Sequence, residues 1–145
     1  MSRLTLNTGV KNYEIEDENG KLLGTISIYP RDFNIGKRAK EVQRKIAEYI
    51  DAAEQIASDN EDNAIDRITE IDDKIKEQLN YLFNSDVSST VFKELHCLNV
   101  VADGGKYFIE SFLDMIIPVI NEELDKAAEA SKKQADKYTS QVLPE

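Results

Sequence analysis

The last third of the chain changes character abruptly, and this change limits what the chain can fold into. Lys106–Ile120 is almost entirely apolar, whereas Asn121–Lys137 is highly charged and rich in alanine. A helix that is apolar on all sides must be covered on all sides, while one with a thin stripe of small residues docks weakly without a partner. The two segments therefore predict a small helical core that carries a helical arm, Asn121–Lys137.

The overall composition is that of one soluble, helix-rich domain. The chain has 145 residues, enough for a single hydrophobic core, and 32% of them are charged. Its net charge of −10 disfavours binding to nucleic acid or to an anionic membrane. The longest apolar stretch, Tyr107–Ile120, is too short and too polar for a membrane span. A single cysteine, Cys97, and the absence of a signal-peptide pattern at Met1–Val10 predict a cytoplasmic protein.

Residues 10–29 predict a β-hairpin. The Asn-Gly pair at 19–20 is a strong signal for a two-residue type I′ turn, which sets Ile15 opposite Gly24. In that register one face of the hairpin is apolar and must lie on the rest of the domain. The apolar face consists of Tyr13, Ile15, Leu22, Ile26 and Ile28.

Periodic apolar residues predict four helices after the hairpin. Asp32 is the expected N-cap of the first helix, and Leu98–Gly105 is expected to be a loop. Pro118 predicts a kink or a local break, and residues 138–145 are expected to form a flexible tail. The chain is thus predicted to be a single mainly α (α+β) domain with an N-terminal β-hairpin. The four helices are predicted over residues 32–57, 63–83, 87–95 and 106–137.

Two acidic motifs are the strongest signals for catalysis. Glu48-Tyr-Ile-Asp51 and Glu70-Ile-Asp-Asp73 lie on the two long helices. Paired motifs of this type hold magnesium in all-α nucleotide pyrophosphohydrolases when their carboxylates converge. At about 100° per residue, both pairs fall on the side of their helix opposite the apolar stripe. We therefore expect carboxylates that face water, and a protein that is not an enzyme and needs no metal or cofactor; the pyrophosphohydrolase stays the least favoured alternative.

Three other features carry weaker signals. His96-Cys97 would need two further ligands to hold zinc, and adjacent side chains usually point apart. Gly104-Gly105 lacks the rest of a phosphate-binding loop and indicates a turn. A basic cluster at the start of the first long helix is expected to pair with local acids, or to bind an acidic face of another copy. This cluster comprises Arg31, Lys37, Arg38, Lys40, Arg44 and Lys45.

The order of elements and several stretches of sequence resemble a known family. The hairpin ends in Gly-Thr-Ile-Ser-Ile-Tyr-Pro at 24–30, Arg-Asp-Phe-Asn-Ile follows at 31–35, and Tyr81–Thr90 precedes an apolar helix containing Pro118. In these features the chain resembles the small tail assembly chaperones of long-tailed phages and prophages of low-GC Gram-positive bacteria. The resemblance implies a homo-oligomer that binds the tape-measure protein, helps to recruit tail-tube subunits in the host cytoplasm, and is absent from the mature virion.

Apolar surfaces that the chain leaves incompletely filled predict where a partner binds. Leu23 is the one apolar side chain on the polar face of the predicted hairpin. The remaining candidates follow the arm at helical spacing and extend into the tail: Leu124, Ala127, Ala128, Ala135, Tyr138, Val142 and Leu143.

Two other classes of binding protein remain open alternatives. Another phage structural or adaptor protein would use the same surfaces. An acidic inhibitor that mimics DNA requires ordered rows of carboxylates, whereas lysines and arginines interrupt the acidic residues throughout this chain.

Overall fold

The structure, a computed structural model, describes residues 1–59 and 62–142, with side chains described as far as residue 137. Within these residues it is mainly helical with an N-terminal β-hairpin, which confirms the predicted fold class. The elements are β1 (Lys11–Glu16), β2 (Leu22–Ile28), α1 (Phe33–Asp59), α2 (Ala64–Phe83), α3 (Ser88–Val91), β3 (Val100–Ala102), β4 (Lys106–Tyr107) and α4 (Phe108–Val142).

Helices α1 and α2 form a helical hairpin because each presents one apolar stripe to the other. The N–H of Asn34 donates to the carboxylate of Asp32 at 3.0 Å, which confirms Asp32 as the N-cap of α1. Asn84 ends α2 in the left-handed conformation, with φ of 51°. The buried residues of the two stripes are Ile35, Ala39, Val42, Ile46, Ala53 and Ile56 on α1 and Ile71, Ile75, Leu79, Leu82 and Phe83 on α2.

The strands β1 and β2 pair as predicted over most of their length and then shift at a bulge. The predicted pairing of Ile15 with Gly24 is confirmed. The next residue, Glu16, lies opposite Leu22, so that Leu23 bulges between the paired residues. As a result Leu22 is exposed, while Leu23 is half-buried against the core. The two leucines therefore exchange the positions predicted for them, because an extra residue in a strand turns the next side chain to the opposite face.

The turn of this hairpin is longer than predicted. The N–H of Asp17 donates to the carbonyl of Lys21, and the Asp17 carboxylate accepts hydrogen bonds from the N–H groups of Asn19 and Lys21. Residues 18–20 therefore form a three-residue loop, in which Gly20 takes a φ of 78°. The prediction of a two-residue type I′ turn was wrong because the Asp17 side chain stabilises the longer loop.

The short helix α3 is less extensive than the predicted helix over residues 87–95. It covers only Ser88–Val91, since Lys93 adopts the left-handed conformation with φ of 53° and prevents the helix from continuing. The N–H of Ser88 donates to the Asn80 side chain at 2.9 Å, which holds α3 close to the end of α2.

A second, small hairpin occupies the segment predicted to be a loop. Strand β3 pairs with β4, and the chain reverses between them at Gly104 and Gly105, whose φ angles are 94° and 89°. The N–H of Phe108 donates to the carbonyl of Asn99 at 2.8 Å and fixes the start of α4. Helix α4 thus begins at Phe108 instead of residue 106, because residues 106–107 belong to a strand.

The first half of α4 buries one stripe of side chains instead of its whole circumference. Met115 is exposed, contrary to the expectation that this segment is covered on every side. Phe112 contacts Phe83 edge to face, with 6.4 Å between the ring centroids, and joins α4 to the end of α2. The buried residues of α4 that form the stripe are Ile109, Phe112, Ile116 and Ile120.

Helix α4 continues without interruption through Pro118 and beyond the predicted end at residue 137. Pro118 has no N–H to donate to the carbonyl of Asp114, but Asp114 is exposed, so water can satisfy that carbonyl. Residues 138–142 belong to the helix and not to the predicted tail, while 143–145 lie outside the described residues. In the described part of the chain, every helix lacks the length or the apolar character that a bilayer span requires.

A buried carboxylate on α4 ties the base of the arm to the β-hairpin. The side chain of Glu123 is only 9% exposed, and it accepts hydrogen bonds from Lys11 Nζ at 3.0 Å and Arg31 Nε at 2.7 Å. We call these three residues the Glu123 clamp. The hydrogen bonds from Arg31 and Lys11 hold the pKa of Glu123 at about 2, below its ordinary value. The clamp therefore fixes the direction in which the arm leaves the core.

We expect acid to release the Glu123 clamp. Because the pKa is lowered in the folded state, the carboxylate contributes stability that is present above about pH 4.5 and is lost as the pH falls towards 2. Glu123→Gln should lower the free energy of unfolding by about 1 kcal/mol at pH 7. In this variant the free energy of unfolding should also fall less steeply as the pH is lowered from 4.5 to 2. Urea unfolding at several pH values measures both effects, and an equally steep decline in the variant would contradict the clamp.

The bulge at Leu23 makes a second prediction. Leu23→Ala should destabilise the protein by about 1–2 kcal/mol, since this side chain packs on the core, whereas Leu22→Ala should cost less than about 0.5 kcal/mol. Urea unfolding of the two variants tests the bulge directly. The regular register predicted from the sequence requires the opposite result, with Leu22→Ala more destabilising than Leu23→Ala.

Candidate functional site

The carboxylates of the two acidic motifs lie on exposed positions. Glu48 and Asp51 on α1, and Glu70 and Asp73 on α2, all face solvent, in agreement with the helical geometry of the sequence. Glu48 accepts a hydrogen bond from Arg44 at 2.8 Å, one helical turn away. In the described residues the one cluster of potential metal ligands contains none of these four carboxylates. The structure therefore does not bring the motifs together.

That cluster combines Asp72 of α2 with His96 and Cys97 of the segment before β3. Asp72 Oδ1 accepts the backbone N–H of Cys97 at 2.8 Å, and Asp72 Oδ2 accepts Lys76 Nζ at 2.8 Å. We call this arrangement the Asp72 clasp. His96 Nδ1 accepts the N–H of Leu98 at 3.0 Å and lies 3.8 Å from Asp72 Oδ1.

The Asp72 clasp has the chemistry of a structural hydrogen-bond cluster. Burial alone would raise the pKa of Asp72, but the hydrogen bonds from Cys97 and Lys76 outweigh it and keep the pKa below its ordinary value. Burial and the neighbouring Asp72 carboxylate raise the pKa of the Cys97 thiol, so the thiol stays protonated and unreactive. Among the described residues His96 Nε2 has no hydrogen-bond partner, but hydrogen bonds occupy both Asp72 oxygens and the Cys97 thiol stays protonated, so a metal would have to displace contacts that hold the fold.

We expect the Asp72 clasp to stabilise the domain and to protect Cys97. Asp72→Asn should lower the free energy of unfolding by about 2–4 kcal/mol, since Lys76 loses its buried counter-charge. It should also speed the reaction of Cys97 with a thiol reagent under native conditions. Asp73→Asn, at the exposed neighbouring position, is the matched control and should change neither quantity. Equal labelling rates of Cys97 in the two variants would exclude this structural role of the Asp72 clasp.

The predicted basic cluster divides into paired and unpaired residues. Arg44 pairs with Glu48, and Lys45 pairs with Glu41 at 3.2 Å, as expected for local acids on one helix. Arg38 donates to the carbonyl of Leu82 and lies over the ring of Tyr81, while Arg31 belongs to the Glu123 clamp. In the described part of the chain, Lys37 and Lys40 have no ion-pair partner, and both are exposed.

These two lysines border a groove between the start of α1 and the middle of α4. We call this concavity of about 860 Å³ the helix groove. An ideal Cβ at Gly36 would lie 3.1 Å from Cδ1 of Leu124, which shows how closely the two helices approach at this point. The groove is lined by Gly36, Lys37, Ala39, Lys40, Gln43, Ile117, Ile120, Asn121, Leu124 and Asp125.

A second groove lies beside the small hairpin. This concavity of about 610 Å³, the hairpin groove, has a mostly apolar lining that includes Leu23, Phe92, Val100, Val101 and Phe108. Val100 is 63% exposed, and Val101 is also exposed, although both are large apolar side chains. Acidic residues at the turn of the first hairpin, 17–18, complete its edge. The sequence identified Leu23 but not the rest of this groove, because three-residue and two-residue strands leave no recognisable periodicity.

The arm separates into an anchored base and an exposed outer part. Leu124 is half-buried against the core, so this predicted partner-binding residue serves packing. From Asp125 to Lys137, which we call the outer arm, every side chain except that of Ala127 is exposed, including Ala128 and Ala135. Tyr138 and Val142 lie on the helical backbone with side chains outside the described set, and Leu143 lies outside the described residues.

Comparison of the chain with protein-family models, with curated proteins and with solved structures gives no match.

Proposed function

We propose that this chain is a phage tail assembly chaperone that binds the tape-measure protein and helps to recruit tail-tube subunits. The observation that carries the proposal is the outer arm, a continuous helical segment whose described side chains are almost all exposed. Its alanines give a partner helix room for close approach, and a second helix would complete the stripe that the chain leaves unfilled. A long helical client such as a tape-measure protein supplies such a helix.

The hairpin groove is a second surface that supports the same role. Leu95, Val100 and Val101 are exposed around a concavity whose lining contains Phe92 and Phe108. Exposed apolar side chains that surround an apolar groove are typical of surfaces that bind an amphipathic helix. We assign this groove to the client as a second contact, separated from the outer arm by about 21 Å of α4 between Ser111 and Asp125 at 1.5 Å per residue.

The charge of the chain and its polar clusters agree with a non-catalytic role. A net charge of −10 keeps several copies on one client soluble through mutual repulsion. The acidic motifs are exposed, and the Asp72 clasp has its oxygens engaged in structural hydrogen bonds. We therefore propose that the protein acts by binding alone, in the cytoplasm where tails assemble.

Removal of the outer arm from Ala127 onward tests the proposal. The full chain and a variant lacking Ala127–Glu145 are each co-expressed with the tape-measure protein of the same genome, and the soluble tape-measure protein and its co-purification are measured. We expect the full chain to keep the client soluble and the truncated chain to lose it, since the client-binding stripe is gone. Circular dichroism and urea unfolding should show that the truncated core, including the Glu123 clamp, remains folded. Client recovery that is unchanged by the truncation, or absent with the full chain, would refute the assignment.

The same assay tests the hairpin groove with a matched pair of substitutions. Val101→Asp places a carboxylate in the exposed apolar rim and should reduce client recovery several-fold. Val10→Asp makes the same chemical change at an exposed position that does not line the groove and should leave recovery unchanged. Equal effects of the two substitutions would remove the groove from the client-binding surface.

A further inference from the structure

The helix groove carries positive charge that no ion pair neutralises within the part of the chain that the structure describes. Its floor is apolar, formed by residues such as Ala39, Ile117 and Leu124, and its rim contains Lys37 and Lys40. Of the described residues that line the groove, Asp125 alone is acidic, so the rim is net positive on a chain with a net charge of −10. A segment that fills this groove should therefore combine an apolar side chain with carboxylates on either side.

The chain displays such a segment at the opposite end of its helical hairpin. Ile65, in the first turn of α2, is 81% exposed and lies between Asp62 and Asp66 in the sequence. Asp59, the last residue of α1, is exposed as well. Residues 58–66 contain four acidic residues and no basic one. We call Asp59, Asp62, Ile65 and Asp66 the acidic tip.

A single molecule cannot bring its own acidic tip into its own helix groove. About 24 Å of continuous helix separates Gln43, on the groove, from Asp59, at the tip, at 1.5 Å per residue. We propose that the acidic tip of one copy docks into the helix groove of a second copy, with Ile65 on the apolar floor and its flanking carboxylates near Lys37 and Lys40. Because the two surfaces differ, the contact is heterologous and adds copies head to tail into a ring or a filament.

This interface is independent of the proposed client. The helix groove shares only Asp125 with the outer arm, and the truncation at Ala127 keeps that residue; neither the helix groove nor the acidic tip shares a residue with the hairpin groove. Formation of the interface requires only the purified chain. Failure of the client assay would leave it intact, and failure of self-association would leave client binding to the outer arm intact.

A charge-swap experiment on the full-length chain tests the interface. Sedimentation velocity over a range of concentrations at low salt should show concentration-dependent association of the native chain, weakened by added salt. Lys37→Glu with Lys40→Glu makes the groove rim acidic, and Asp62→Lys with Asp66→Lys makes the tip basic. Each double variant alone should associate roughly tenfold more weakly or worse, since like charges then meet. A mixture of the two should associate again, because every groove then meets a tip of opposite charge.

Two controls separate this contact from general effects of charge and folding. Lys21→Glu with Lys74→Glu changes the net charge by the same amount at exposed positions away from the groove, and should associate no more weakly than the native chain. Ile65→Ser should weaken association without a change in charge. Circular dichroism verifies that each variant is folded.

Three results would overturn the proposal. The first is a native chain that stays monomeric at every concentration. The second is equal association of the groove variant and its charge-matched control. The third is a loss of association in the groove variant alone, with the tip variants associating like the native chain and the mixture showing no recovery. That result would show that the groove binds a different segment.

Discussion

The apolar stripe in the first half of α4 is the contact around which the domain assembles. Phe112 contacts Phe83 at the end of α2 and Phe92 of the segment after it, so that this stripe joins the helical hairpin to that segment. Phe108, the first residue of α4, also meets Phe92 edge to face at 4.8 Å. Aromatic rings bury more apolar area than other side chains and contribute a large share of the stabilising free energy of such a core. The positions of both grooves follow from the packing of this stripe, because α4 forms part of the lining of each groove.

Charged groups then orient what the apolar core holds together. The Glu123 clamp lies five residues beyond Pro118 and connects α4 to the β-hairpin, while the Asp72 clasp connects α2 to the segment before β3. Glu123 accepts hydrogen bonds from two other parts of the chain, whereas Asp72 accepts one from Cys97 and one from Lys76 on its own helix. Loss of a partner from such a group is costly, and any other packing would leave a buried charge without a partner, so these groups disfavour alternative arrangements. The outer arm begins two residues after Glu123, so the clamp fixes the direction of α4 at the point where the helix becomes exposed.

The candidate surfaces were only partly accessible to sequence reasoning. The arm could be predicted because a thin alanine stripe beside charged residues is visible at helical spacing, and the outward direction of the acidic motifs follows from the same geometry. The Asp72 clasp was missed, although one signal existed: Asp72 stands at the spacing of the apolar stripe that includes Ile68, Ile75 and Leu79. A carboxylate at such a position needs buried partners, but the sequence does not say that Cys97 and Lys76 provide them.

Periodicity along the chain determined the helices, the first hairpin and the mainly α class, because these depend on hydrogen bonds and apolar spacing between residues close in sequence. The tertiary structure decided what depends on residues far apart. The bulge exposed Leu22 and packed Leu23 on the core, residues 100–107 formed the β3–β4 hairpin, and Glu123 came to lie against Lys11 and Arg31. Lys37 and Lys40 were left beside an apolar floor without an ion-pair partner among the described residues. Grooves and buried ion pairs arise only when separate segments meet, and the free energy of those contacts is not contained in any local stretch of sequence.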